Sequence, residues 1–296
     1  GDELGIAIPQ SLNKKIDRVA AAVGEDKKLK VALIGGFSEG KTTIVSAWLE
    51  RFDESCMKIN QQESSDEVQV YEDEDSGIEL IDTPGLFGFK EKYNADEGMV
   101  EKYKDITKKY VSETHLVLYV MDPTNPIKLT HKDELNWLLR ELNLLPRTVF
   151  VLSRFDEVAD VEDDWEYQDA LEIKRENVLG RLRDLISLRA EEEEEIEIVG
   201  VAANPFGKGM DYWLEHKEQL RELSRIETLQ QATSKTIERK GGFFPLVFAA
   251  QQSVANDILT SNMELIETSA EETALALENY RRTIEINSRK RLQFSP

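Results

Sequence analysis

Gly35-Gly36-Phe37-Ser38-Glu39-Gly40-Lys41-Thr42 matches the pattern Gly-x4-Gly-Lys-Ser/Thr in full. Its glycines permit a backbone nest whose N–H groups converge on the α- and β-phosphates of a nucleotide. Lys41 adds a point charge at the β- and γ-oxygens, and the Thr42 hydroxyl is a ligand for Mg2+, with Thr43 next in line. A second element, Asp82-Thr83-Pro84-Gly85, closes an apolar run. Asp82 suits a direct or water-mediated hold on Mg2+. The Gly85 N–H can sense a γ-phosphate, because only glycine lets the backbone approach so closely. Loss of that contact on hydrolysis would release the segment that follows. A Pro-Gly turn after a strand is common by itself, but two phosphate elements in this order are not.

The base is addressed by a third element. Ser153-Arg154-Phe155-Asp156 resembles the Asn/Thr-Lys-x-Asp guanine box of the GTPase superfamily, departing from it at the first two positions. Asp156 would accept from the guanine N1–H and exocyclic amine, which adenine does not offer; an unpaired buried carboxylate discriminates by ~10⁴ or more. Arg154 can lay its guanidinium plane over the base. Ser153 lacks the amide that ties loops together. Val201-Ala202-Ala203-Asn204 resembles the fifth GTPase box, in which a backbone N–H from Ala202, Ala203 or Asn204 meets the guanine carbonyl.

Two expected groups are missing. No threonine stands between Thr43 and Thr83 to complete Mg2+ coordination, so Ser64 or Ser65 must supply the hydroxyl, Ser65 being favoured. Leu86 follows the Asp-x-x-Gly element where small GTPases carry a glutamine, and leucine cannot orient an attacking water. The missing group must come from the phosphate loop, another loop or a second molecule. One acting in trans can be worth ~10³–10⁵ in rate, so turnover is expected to be slow and to rise with self-association.

The elements needed to position these residues are legible. Leu29–Ile34 is an apolar run that enters the first glycine loop, and a helix follows from about Lys41. Val68–Tyr71 and Ile78–Ile81 flank the turn signal Asp75-Ser76-Gly77 and read as an edge hairpin. His115–Met121, Thr148–Leu152 and Ile196–Val201 read as buried strands. Lys132–Leu142 and Asp169–Leu188 read as helices between them, which predicts a mostly parallel sheet with helices on both faces. Ser11–Val23 has helical spacing. After about Met210 the chain reads as helix, broken at Lys240-Gly241-Gly242 and resuming near Pro245. Its apolar stripe runs from Val247 and Val254 to Tyr280 and Ile284 and needs partner helices or a second chain. Gly241–Phe248 reads as a helix corner with buried aromatics. Glu191–Glu195 reads as a solvated helix end or loop.

Composition narrows the partners. The 296 residues carry 58 Asp and Glu against 37 Lys and Arg, a net charge of -21, which argues against nucleic acid. Plain adsorption to anionic lipid is disfavoured too, although Arg281, Arg282, Arg289, Lys290 and Arg291 form a local basic cluster. The single cysteine, Cys56, excludes an intramolecular disulfide and fits a reducing, cytoplasmic setting. No apolar run reaches the ~20 residues of a membrane span.

The loop Gly-Gly-Phe-Ser-Glu-Gly-Lys-Thr-Thr, with helices on either side of the boxes, resembles the bacterial dynamin-like GTPases, whose loop typically reads Gly-x-Phe-Ser-x-Gly-Lys-Ser. Ser38 matches the family's loop serine; Phe37 stands where mammalian dynamins carry a glutamine. The resemblance implies an α/β phosphate-loop GTPase fold plus an α-helical neck or trunk. It divides the chain into an N-terminal helix (1–26) packing with the neck, a GTPase domain (27–210) and a helical segment (211–296). It implies Mg2+-dependent hydrolysis of GTP to GDP and phosphate, with Lys41, Ser38 and Ser65 catalytic, coupled to conformational change or self-assembly. It further implies peripheral membrane contact in a secretion-related process. Family members are longer and end in a lipid-binding tip, so the chain reads as a fragment. A nucleotide-gated helical scaffold with little hydrolysis, or an ATPase, are the competing readings.

Overall fold

The computed structural model describes residues 28–36, 38–50, 68–73, 77–83, 110–242 and 245–257. The N-terminal helix, Cys56, Ser64, Ser65, Phe37, Gly85, Leu86, the basic cluster and most of the C-terminal stripe lie outside the described residues.

A six-stranded sheet has the order β2-β3-β1-β4-β5-β6. Its strands are β1 (Leu29–Gly35), β2 (Gln69–Asp73), β3 (Ile78–Asp82), β4 (Leu116–Met121), β5 (Thr148–Leu152) and β6 (Glu197–Gly200). β2 runs antiparallel to β3, and all other pairs are parallel. The edge hairpin and the mostly parallel sheet are therefore as the sequence predicts. β4 and β5 are buried along their whole length, as strands covered on both faces must be; hence their unbroken apolar runs.

Successive side chains alternate between two cores. Ala32, Ile34, Val117, Tyr119, Phe150 and Leu152 point to one. Val31, Leu33, Leu116, Leu118, Val149 and Val151 point to the other. The first face is covered by α2 (Lys132–Asn136), which runs on through a π-turn (Trp137–Glu141), and by α3 (Asp164–Ile186). α3 starts five residues ahead of the predicted Asp169 because the Asp163 carboxylate accepts from the Trp165 and Glu166 N–H groups at 2.9 and 3.2 Å. The short α4 (Ala190–Glu193) follows. Here the acidic run is paired: Glu192 with Arg140, Glu193 with Arg183, and Glu195 with Lys240.

The second face is covered by α1 (Lys41–Leu49) and by part of the C-terminal region. That region is not one helix up to residue 240. It divides into α5 (Met210–Glu215), α6 (Lys217–Ser224) and α7 (Ile226–Arg239), with Arg225 in left-handed conformation (φ 58°) at the last break. Ile226, Leu229 and Ala232 of α7 join the core over the sheet, so packing carries this unit past the composition shift at 210. One compact unit ends at Val254. The helix over 245–257 contributes Leu246 to the same core. It is tied by buried Arg147, which donates to the Ser253 hydroxyl at 2.6 Å and to the Thr114 and His115 carbonyls. Phe248, expected among buried aromatics, is 61% exposed; it lies on the outer side of that helix.

β6 has one position with no room for a side chain. A Cβ on Gly200 would sit 2.7 Å from the Phe155 ring, and the Gly200 carbonyl accepts from the Tyr167 hydroxyl at 2.9 Å. Gly200→Ala is expected to cost about 1–3 kcal/mol by overpacking. Thermal unfolding would show it, together with weaker nucleotide binding, because Phe155 precedes Asp156.

Candidate functional site

β1 lies where chain connections reverse direction, with β3 on one side and β4 on the other. The crevice at the carboxyl ends of these strands is the general ligand site of such sheets, and Gly35 delivers the first glycine loop there. A Cβ on Gly35 would meet the Val120 carbonyl at 2.2 Å, so the loop can leave between β1 and β4 only as glycine. Ser38 and Gly40 then turn through left-handed conformations (φ 60° and 83°). α1 begins with no side-chain cap and no acid in its first turn. Its leading N–H groups are thus left for an anion, in the field of the helix dipole.

Lys41 is buried and donates to the Gly36 carbonyl at 2.7 Å. Burial pulls its ammonium below the usual lysine range, while Asp82 and Glu39 pull it back up. The Thr42 hydroxyl donates to Asp82 Oδ2 at 2.5 Å. Thr42 is exposed and Asp82 buried. Burial raises the Asp82 carboxyl, and the Thr42 hydroxyl and Lys41 oppose the rise. Thr83 anchors this corner by donating to the Leu33 carbonyl at 2.7 Å. The sheet thus brings Lys41, Thr42 and Asp82 together. A hydroxyl and a carboxylate within bonding distance, beside a lysine, are a hard-oxygen donor set that suits Mg2+ shared with phosphate. Among the described residues no group of three or more His, Cys, Asp or Glu could hold a metal alone.

Ser153 follows β5 and lies against the glycine loop, 3.8 Å from a Cβ built on Gly40. Its N–H and hydroxyl both go to the Met121 carbonyl, at 2.9 and 3.1 Å. It therefore binds β5 to β4, a tie the sequence reading assigned to the absent amide. Arg154 pairs with Asp122 at 2.7 Å, a residue the sequence reading passed over. Asp122 also accepts from the Thr124 N–H and hydroxyl, and the Asp-Pro-Thr turn was the available clue. Thr124 and Arg154 together hold the Asp122 carboxyl below its usual range against the upward push of partial burial.

Asp156 accepts from the Phe206 N–H at 2.8 Å, which joins the fourth and fifth boxes. Phe206 was not predicted, and nothing in its type signals the role. Its left-handed backbone (φ 57°) is a tertiary outcome. The fifth-box residues are otherwise engaged: the Ala202 N–H donates to the Ser224 carbonyl at 3.0 Å, and Asn204 Oδ1 accepts from the Gly209 N–H at 2.9 Å. The Ala202 N–H is thus already engaged within the protein. Ala203 and Asn204 remain at the position the resemblance gives them.

The comparisons with known proteins agree with this arrangement. A family model described as "50S ribosome-binding GTPase" matches residues 30–154, and one described as "Dynamin-like helical domain" matches residues 188–295. The LeoA bacterial dynamin GTPase from ETEC is 35% identical, with a TM-score of 0.62 over 88% of this chain and 43% of that one. The chain is similar to the dynamin-like GTPases in both matched parts. GTPase Der of Chlamydia trachomatis is 31% identical over 131 residues, which is 44% of this chain and 26% of Der. The chain thus spans less than half the length of either relative. The helical match begins at residue 188, inside the part that packs on the sheet.

Proposed function

We propose that the chain binds GTP with Mg2+ and hydrolyses it to GDP and phosphate, coupling the cycle to conformational change or self-association. The observation that carries this is the convergence of Lys41, Thr42 and Asp82 at the end of β1, with Ser153 packed against Gly40 and Asp156 three residues on. One crevice therefore offers phosphate donors at one end and a base-reading carboxylate at the other. The uncapped first turn of α1 and the Lys41 ammonium bind and orient the β- and γ-phosphates. Thr42 and Asp82 would hold Mg2+, which when bound neutralises charge developing on the phosphate oxygens. Ser65 completes that set in this reading, and Ser38 lines the loop. Asp156 selects guanine and Arg154 covers it.

Slow turnover follows from Leu86, which cannot orient water, so the missing group comes from the phosphate loop, another loop or a second molecule. Peripheral membrane contact in a secretion-related process belongs to the same reading, supported by the dynamin-like helical match. No described helix is long and apolar enough to cross a membrane.

The test is turnover of GTP and ATP, with and without Mg2+, over a wide range of protein concentration. GTP turnover that needs Mg2+ and rises per molecule with concentration is expected. Tight GTP binding with negligible, concentration-independent turnover would establish a nucleotide-gated scaffold instead, and equal use of ATP would remove the base assignment.

A further inference from the structure

We propose that Glu39 is a positioning residue whose carboxylate grips the phosphate loop and limits its affinity for phosphate, so that nucleotide binding draws a proton onto it. This rests on the guanine-nucleotide reading above.

The loop carries an acid immediately before Gly40. The Glu39 carboxylate accepts the Gly36 N–H. A Cβ on either Gly35 or Gly36 would lie 2.7 Å from one of its oxygens. The carboxyl is therefore packed flat on the first turn of the loop, and both glycines leave it room. Its closeness to Gly36 also places it beside the carbonyl that Lys41 uses.

The charges around it come from three directions. Lys41 of α1 attracts it, as does Lys128, whereas Asp122 after β4 repels it. Burial is the largest influence and raises the Glu39 carboxyl above its usual range; the Gly36 N–H, Lys41 and Lys128 oppose this. On β4, the buried Tyr119 phenol is raised first by its own burial and then by Glu39 and by Glu134 of α2. Glu39 thus shares Lys41 with Asp82.

A di- or triphosphate brings further negative charge to that same lysine. Like charges within about 4–6 Å disfavour one another's ionisation. Glu39 can respond by taking a proton from solvent, since its neutral form still accepts from Gly36. No other bond is made or broken.

Glu39→Gln keeps the volume and the acceptor for Gly36 and deletes the charge. It is expected to bind GDP at least about tenfold more tightly at neutral pH, one pKa unit of coupling being a factor of ten. Wild-type affinity should climb more steeply than that of the variant as pH falls from neutral toward the raised Glu39 carboxyl range. Calorimetry in buffers of different ionisation enthalpy should show proton uptake by the wild type, absent from the variant. The proton change of GDP itself, titrated alone, is subtracted from both.

A Glu39→Gln protein with wild-type melting temperature that binds no more tightly, and with the same pH slope, overturns the proposal. If the variant folds poorly, the wild type alone decides: no proton uptake beyond that of GDP overturns it equally. A wild type that binds no guanine nucleotide at any pH would instead remove the functional reading.

Discussion

Lys41→Ala is expected to lower GTP turnover by about 10²–10³, the usual cost of removing one preorganised charge donor from a developing anion. The structure adds a second consequence. Lys41 is buried beside buried Asp82 and half-buried Glu39, so its removal leaves both carboxylates without their cation. Both carboxyls are already raised by burial, and the substitution raises them further. The folded state then holds protons that the unfolded state releases. Stability is therefore lost as pH rises from the unfolded carboxylate pKa through the raised folded one. The measurement is a melting curve across the acid-to-neutral range beside single-turnover hydrolysis. A nucleotide-free Lys41→Ala protein whose melting temperature follows that of the wild type at every pH would show that the two acids do not depend on Lys41.

Asp156→Asn is expected to reverse base preference, changing the ratio of GTP to xanthosine triphosphate affinity by ~10⁴, the discrimination reached by sites built to hydrogen-bond a substrate. Guanine presents two donors where xanthine presents a donor and a carbonyl. The fixed partner of Asp156 sharpens the expectation. The Phe206 N–H donates to Oδ2 at 2.8 Å, so an asparagine must turn its carbonyl toward Phe206 and present its amide to the base. The variant therefore has one satisfied orientation, not two. Competition binding with the two triphosphates measures the ratio. An unchanged ratio, with the fold intact, would remove the guanine assignment of Asp156 while leaving the phosphate site untouched.

The chemistry at the phosphate end was legible because it is local. Gly35, Gly40, Lys41 and Thr42 are fixed in spacing by one strand, one loop and one helix, and their roles follow from backbone freedom and charge. The fold class was legible for a related reason: strands covered on both faces must be largely apolar, and β4 is throughout, β1 from Val31 and β5 from Val149. The helix start at Asp164 was missed because its signal is a single cap, Asp163, set among other acids in a polar stretch. The breaks at His216 and Arg225 were missed because neither residue is a glycine or proline.

The base end is different. Ser153-Arg154-Phe155-Asp156 and Val201–Asn204 name the region from sequence, but which atoms are free depends on partners far along the chain. The Ala202 N–H is taken by Ser224, and Asp156 is oriented by Phe206, 50 residues on. Arg154 is held by Asp122. Hydrogen-bond allocation between loops is a tertiary property, since it depends on which strands the sheet places side by side. Sequence alone thus pointed to a phosphate ligand, and to the lysine and hydroxyl that would meet it. Only the packing of β1 between β3 and β4 brought Asp82 to that hydroxyl. The same packing, with the turn at Gly40, folded the Glu39 carboxylate onto the Gly36 N–H, and no reading of spacing alone reveals that contact.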